Sequence, residues 1–206
     1  MTLIILSVSI AGCSSQAPSG TSAPASTASP APSASPSTPP VTTPANQLST
    51  IEPSEMALQL SDLPVNFTIQ NRVERVRSDV DKAGIELGWK SGYIVKFSRI
   101  DFQTFSSTMI EQSTSIYPIE TMPKLLSGAK KMYQNMTSSG YVVNELSNPQ
   151  IGDQSHAFII ASADSSKTYL IDFIKNDVYE SLRMTGTTTD YELLKDVAKK
   201  AVSKIK

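Results

Sequence analysis

The chain offers few residues for nucleophilic or metal chemistry, because it contains one cysteine and one histidine. A Ser-His-Asp relay would need a reactive serine on one side of His156 and an acid on the other. Asp153 and Ser155 are close in sequence, but successive residues of a strand point to opposite faces. One histidine and one cysteine also fall short of the usual ligand set of a zinc site. We therefore interpret His156 as a polar residue at the start of a strand. We predict no enzyme activity, no catalytic residue, no metal site and no cofactor.

Four acidic side chains could be taken for calcium ligands, namely Asp79, Asp81, Asp101 and Glu111. The Asp-x-Asp spacing of the first two lacks the later ligands and the glycine of an EF-hand loop. Ser78 followed three residues later by an acid resembles a capping box, with aspartate in place of the usual glutamate. Capping of a helix over 78–88 therefore explains the first two acids better than a metal does.

The segment Ile151-Gly152-Asp153-Gln154-Ser155 is the most distinctive loop of the sequence. Its backbone N–H groups could form a nest that holds an anionic ligand. A turn that leads into a strand explains the same residue types, with Gly152 at positive φ and Asp153 bonded locally. We favour the turn and keep the nest as the alternative.

Six aromatic residues could line an apolar pocket. Most of them stand at alternating strand positions, which is more typical of a core. We therefore predict that they are core residues, with Trp89 nearer to a loop edge because glycines flank its segment. The six are Trp89, Tyr93, Phe97, Tyr169, Phe173 and Tyr179.

The cysteine stands in a context that suggests modification of its thiol. Leu3–Ile10 is an apolar run too short to span a bilayer, which takes about 20 residues, and it fits a signal-peptide core. The sequence Ile10-Ala11-Gly12-Cys13 resembles a lipobox, at which prokaryotes cleave before the cysteine and attach a two-chain lipid to it. The alternative is an apolar N-terminus with a chance cysteine. No Lys or Arg precedes the run, so we expect a true start upstream or a truncated leader.

The composition divides the chain sharply at about residue 50. Residues 1–50 contain no Asp, Glu, Lys, Arg or His, and residues 14–50 are mostly Ser, Thr, Ala and Pro. Such a segment has too few large apolar groups to offset the entropy of ordering. We predict a signal peptide at 1–12 and a lipidated Cys13 that starts a disordered stalk at 13–50. As a coil the stalk would span about 35 Å, and fully extended on the order of 100 Å.

Residues 51–206 have about the commonest size of a single domain. Short turns between the predicted strands require antiparallel pairing, and helices grouped at the start, middle and end indicate the α+β class. We predict a twisted antiparallel sheet of five to seven strands packed against two or three helices. The helices over 121–138 and 190–206 should close an apolar face, and Thr189 with Glu192 forms a capping box for the second of them. The remaining predictions are a helix over 54–60 and strands over 67–76, 93–102, 108–117, 141–146, 155–163, 168–174 and 178–185.

Three segments carry a resemblance to a known group of proteins. They are Leu60-Ser-Asp-Leu-Pro64, the Ile151–Ser155 turn and Met184-Thr-Gly-Thr-Thr-Thr-Asp190. Residues 53–206 thereby resemble uncharacterised secreted lipoproteins of archaea and bacteria, whose domain is similar to the PsbP/Mog1-like α-β-α sandwich. The resemblance implies a non-enzymatic adaptor or binding module, and it carries over no functional residues.

The 18 basic and 19 acidic residues argue against a nucleic-acid partner, since such proteins usually have a basic excess. We expect a binding or accessory module at the outer face of the cytoplasmic membrane. Its lipid anchor is at Cys13, and its partner is a protein or small ligand that the sequence does not identify. The alternatives are an extracytoplasmic hydrolase and a structural component of the envelope.

Overall fold

The structure is a computed structural model that describes residues 51–162 and 166–206. The predicted signal peptide, Cys13 and the predicted stalk lie outside these residues. Seven antiparallel strands form one sheet, in the order β1-β2-β3-β7-β6-β5-β4. The strands are β1 (Thr68–Glu74), β2 (Ser91–Asp101), β3 (Ser106–Ile116), β4 (Val142–Glu145), β5 (Gln154–Ala161), β6 (Lys167–Lys175) and β7 (Val178–Gly186). The predicted α+β class is confirmed, with a strand count at the top of the expected range.

The described residues include three α-helices, which are α1 (Lys82–Glu86), α2 (Met122–Asn135) and α3 (Tyr191–Ser203). Apolar residues three and four positions apart are buried on α2 and α3 and pack each helix against the sheet, as their helical spacing predicts. None of the helices in the described ranges has the length and hydropathy of a membrane span.

The two long helices cover opposite faces of the sheet, which corrects the prediction that they close one face together. Residues of α3 pack in one core with Ile171 and Phe173 of β6. Tyr133 of α2 instead packs with Leu170, which points to the other side of the same strand. Strands β5 and β6 are therefore buried on both faces over most of their length, and their apolar residues do not alternate with polar ones. We call these faces the α3 face and the α2 face.

The predicted helix over 54–60 is wrong, since this segment forms turns and then a short 3₁₀ helix at Leu60–Asp62. Met56 and Leu58 are fully buried on the α3 face, so residues 51–63 form a strap across the sheet. The backbone N–H of Leu58 donates to the side-chain Oε1 of Gln112 at 2.7 Å. Tertiary contacts satisfy the backbone here, and these contacts override the local preference for a helix.

Helices α1 and α3 begin later than the capping boxes predicted from Ser78 and Thr189. The segment 78–88 has a 3₁₀ turn and the short α1, and only Asp81 is its cap, with Oδ1 accepting from the N–H of Gly84 at 2.6 Å. Helix α3 begins one residue later than its predicted box, because Asp190 rather than Thr189 accepts the free N–H groups of its first turn. An aspartate has a stronger preference for this position than threonine.

Candidate binding surface

The four acids considered as calcium ligands serve four separate local purposes. Asp79 accepts from the N–H of Val76, and Asp81 caps α1. Asp101 accepts from the N–H of Gln103 at 2.9 Å, whereas the Glu111 side chain pairs with Lys96 on the neighbouring strand at 2.7 Å. Within 51–162 and 166–206 no three His, Cys, Asp or Glu side chains gather as metal ligands.

The loop at 151–155 is a turn, as favoured from its residue types. Gly152 has a φ of +66°, and a Cβ there would collide with the carbonyl oxygen of Ile174. Asp153 Oδ2 accepts from the N–H of Asn176, and Ser155 Oγ accepts from the N–H of Ile151. These bonds close the loop onto β6 and its turn, so its geometry serves the fold.

His156 forms a buried pair with Asp172, a residue that sequence analysis missed. The histidine Nε2 lies 2.9 Å from Asp172 Oδ2, beneath α2. His156 and Asp172 face each other across β5 and β6, and Ser181 faces Asp172 from β7. A relay needs the histidine between the acid and the serine. Here the acid stands in the middle, with His156 and Ser181 two strand spacings apart, or about 9.6 Å. The row cannot act as a catalytic triad.

Aromatic rings close this polar row off from solvent. The ring of Tyr133 meets His156 edge-on at 6.2 Å, and Phe158 lies 5.2 Å from His156. Burial, and then the negative charge of Asp172, raise the pKa of Tyr133 and that of Tyr179 well above the ordinary value for tyrosine. Both phenols therefore stay protonated, and the cluster is part of the packing beneath α2.

The predicted core role of the aromatics agrees with their burial. Phe97 and Phe173 have no exposed surface, and they lie in the core of the α3 face. Tyr93 and Tyr169 are partly buried against the same core, whereas Trp89 and Tyr179 pack against a second cluster around Met122 and Leu126.

A second buried carboxyl, Glu180, lies on the α3 face. Gln112 Nε2 donates to both of its oxygens, at 3.0 and 3.1 Å, and Thr114 Oγ1 donates to Oε1 at 2.9 Å. Burial raises the pKa of Glu180 to about 8, although the hydrogen bonds from Thr114 and Gln112 act in the opposite direction. Since the other end of the Gln112 amide accepts from Leu58, Glu180 is connected to the strap.

An open surface lies at the end of the sheet where the β2–β3 hairpin, the start of β6 and the β7–α3 connection meet, and we call this region the loop end. Registers of the strands place them together, since Thr108 pairs with Gly186 and Gly186 with Lys167. An open depression of about 1130 Å³ lies there. Its lining is Arg99, Ser107, Ser166, Lys167, Tyr169, Thr185, Gly186, Thr187, Thr188, Thr189, Asp190 and Leu193.

The backbone of the loop end is held in place. Thr108 Oγ1 donates to the carbonyl of Thr188 at 2.6 Å, and the N–H of Ser107 donates to Thr187 Oγ1 at 2.9 Å. Gly186 has a φ of +143°, and a Cβ there would collide with the carbonyl of Ser107. The depression is thus a preformed feature, lined by hydroxyl groups, two cationic side chains and the Asp190 carboxylate, whose Oδ1 caps α3, and it is suited to holding a polar group.

Comparison with known proteins identifies the fold. No protein-family model matches the chain, and no curated protein matches it. The extracellular domain of PknH from Mycobacterium tuberculosis has a similar structure, with a TM-score of 0.59 and 10% sequence identity. The match covers 78% of this chain and 98% of that domain. At this identity the likeness shows a shared fold alone. The proposed similarity to the PsbP/Mog1-like sandwich stays a prediction.

Proposed function

We propose that this chain is a lipid-anchored extracytoplasmic binding or accessory module without catalytic activity. The sequence Ile10–Cys13 supports the anchor, because the apolar core, small residues and cysteine stand in the order that such leaders require. The similar structure is an extracellular domain, which supports the same placement for this chain. A single acyl chain holds a protein only marginally, and the two chains of a lipobox lipid suffice for a durable anchor.

One observation carries the binding role, namely the contrast between closed polar clusters and an open, preformed loop end. His156 and Asp172 are covered by α2, and Glu180 is covered by the strap, so none of these three can meet a substrate in this conformation. The loop end presents Arg99 and Lys167 at an open depression. His156, Asp172 and Glu180 are thus placed for stability, and the accessible side chains of the loop end are placed for contact.

Replacing the modified atom tests the anchor. We expect the parent chain, produced in a bacterium that processes lipoproteins, to sediment with membranes and to be cut by protease added to spheroplasts. Cys13→Ser should move the protein out of the sedimenting fraction, because no thiol remains to accept the lipid. Ser14→Ala is the matched control and should stay with the membranes. A mass spectrum of the mature N-terminus should show two-chain lipid on Cys13. Membrane retention of Cys13→Ser equal to that of the parent would contradict the proposal.

A further inference from the structure

The loop end carries an apolar projection next to its depression. The β2–β3 hairpin turns through Phe102-Gln103-Thr104-Phe105, a tip without charged residues. Phe102 is 79% exposed and Phe105 is 89% exposed, and Ile100 beside them is 57% exposed. Large apolar side chains in such exposed positions do not contribute to the core and indicate a contact surface.

The strand registers show that this hairpin extends beyond its neighbours. The last pair between β1 and β2 joins Thr68 to Ser98, and the last pair between β3 and β7 joins Thr108 to Gly186. Strand β2 continues for three more residues, to Asp101, which is roughly 10 Å of strand before the tip. We call the projecting part, residues 99–107, the finger. Its tip lies outside the layers of the domain and is free to meet a surface.

The turn itself does not require a phenylalanine at its last position. Phe105 has a φ of +52°, in the left-handed region that glycine and asparagine occupy at least cost. A bulky aromatic residue is unfavourable there, so the fold gives no reason for this residue type. Its side chain is best explained by a contact that the isolated domain does not make.

Two basic side chains line the depression beside the base of the finger. The Arg99 guanidinium lies over the ring of Phe67 at 5.2 Å, and Lys167 is the first residue of β6, with β7 between it and the hairpin. Neither forms an ion pair with a described acid, since the salt bridges within the described ranges involve other residues. Two nearby carboxylates accept from backbone N–H groups, Asp101 from Gln103 and Asp190 from Glu192. Hydrogen bonds from Gln103 and Thr104, and then the charge of Arg99, lower the pKa of Asp101. An apolar tip above a basic base is the arrangement of groups that enter a lipid headgroup layer.

We propose that the finger inserts Phe102 and Phe105 into the phospholipid surface to which the protein is anchored, with Arg99 and Lys167 at the headgroup phosphates. The inference rests on the proposed function, because the anchor puts the domain next to this surface. Cys13 precedes Ile51 by 38 residues, a length that would span about 35 Å if it were a coil. Tethering raises the local concentration of the finger, so that an insertion too weak to hold a free protein is populated in the anchored one. The bound finger would fix the orientation of the domain.

Vesicle binding of unlipidated chains tests the finger separately from the anchor. All chains carry Cys13→Ser, so any effect of lipidation is absent and the leader is the same in each. We expect the Cys13→Ser chain to sediment with phosphatidylcholine–phosphatidylglycerol vesicles, and less with phosphatidylcholine alone. Adding Phe102→Ser and Phe105→Ser should weaken binding about ten-fold or more for each side chain removed from the lipid. The matched control adds Val76→Ser and Met132→Ser, two exposed apolar residues outside the finger, and should bind as the Cys13→Ser chain does.

A fluorescent reporter measures insertion directly. Phe102→Trp in the Cys13→Ser chain should shift its emission to the blue on addition of vesicles, and brominated acyl chains should quench it. Equal sedimentation of the finger variant and the Cys13→Ser chain, or no spectral shift, would overturn the proposal. A finger that instead joins two copies of the chain would give a dimer in lipid-free solution that the double serine variant dissociates, without an effect on sedimentation. That result would also overturn it. Neither result would bear on lipidation of Cys13, which the membrane fractionation tests.

Discussion

Two buried carboxyl groups on neighbouring strands differ in what surrounds them. Asp172 on β6 points to the α2 face and has the imidazole of His156 at 2.9 Å. Glu180 on β7 points to the α3 face, where its partners are the neutral groups of Gln112 and Thr114. Neither residue has any exposed surface. The two therefore isolate the effect of the partner, because burial is the same for both.

The partner decides how each carboxyl contributes to the fold. His156 Nε2 lies within hydrogen-bond distance of Asp172, and losing one member of such a buried pair leaves the other without compensation. The neutral donors of Glu180 do not offset the loss of hydration, so its pKa rises to about 8 and it keeps its proton at neutral pH. We infer that the stability of the α2 face depends on the pair of His156 and Asp172, whereas the stability of the α3 face depends on the proton of Glu180.

Removing Asp172 should have the largest effect on the free energy of unfolding. We expect Asp172→Ala to lower the free energy of unfolding by about 3–5 kcal/mol, because it leaves His156 buried without its acceptor. Urea unfolding followed by circular dichroism measures this change. Asp172→Asn keeps the shape and one oxygen acceptor, and we expect it to cost less, about 1–2 kcal/mol. If both variants unfold at the urea concentration of the parent, the pair does not support the α2 face.

The sequence predicts the framework better than these clusters, for reasons that particular residues show. Apolar spacing finds α2 and α3 because each buries one face of a helix. Alternation finds β6 through Tyr169, Ile171 and Phe173, but the same pattern directs attention away from Asp172, which lies on the other face of that strand. An acid within the apolar run from Leu170 to Ile174 was the available signal of a buried pair.

Other features depend on distant residues and leave little local trace. The strap is held by Gln112, which is 54 positions from Leu58, so no pattern near Pro53 could show it. The prediction that β2 runs to Phe102 is close, since it ends at Asp101. Sequence analysis did not single out the projecting tip, because the extent of the neighbouring strands decides whether a phenylalanine at a strand end is buried or exposed.

The proton on Glu180 should give stability a pH dependence that the α2 face does not explain. The unfolded chain loses this proton near pH 4.5, whereas the folded protein keeps it until about pH 8. Between these values the folded state binds one proton more, so stability falls as pH rises by about 1.4 kcal/mol per pH unit, and levels off above pH 8. We expect Glu180→Gln to remove this slope, a difference on the order of 5 kcal/mol across the window. Urea unfolding at several pH values measures it.

A matched variant separates burial from the mere presence of a carboxylate. Gln70→Glu adds an acid to β1 at an exposed position and should leave the slope between pH 4.5 and 8 as it is in the parent. If Glu180→Gln and the parent show the same slope, Glu180 is ionised in the folded state and the contrast between the two faces disappears.

The smallest expected effect is that of removing the Thr114 hydroxyl, which is one of the hydrogen-bond donors to Glu180 on the α3 face. Thr114→Val keeps the side-chain shape and removes the 2.9 Å hydrogen bond to Glu180, which should cost about 1 kcal/mol. The bond from Thr114 lowers the pKa of Glu180, so its loss should raise that pKa further and move the point where stability levels off to higher pH. Ser113→Ala, one residue away and directed to the α2 face, should leave that point unchanged. A levelling point that stays in place, or moves to lower pH, would mean that Thr114 does not act on the ionised form of Glu180. Burial and the hydrogen bonds from Gln112 would then set the pH dependence of the α3 face.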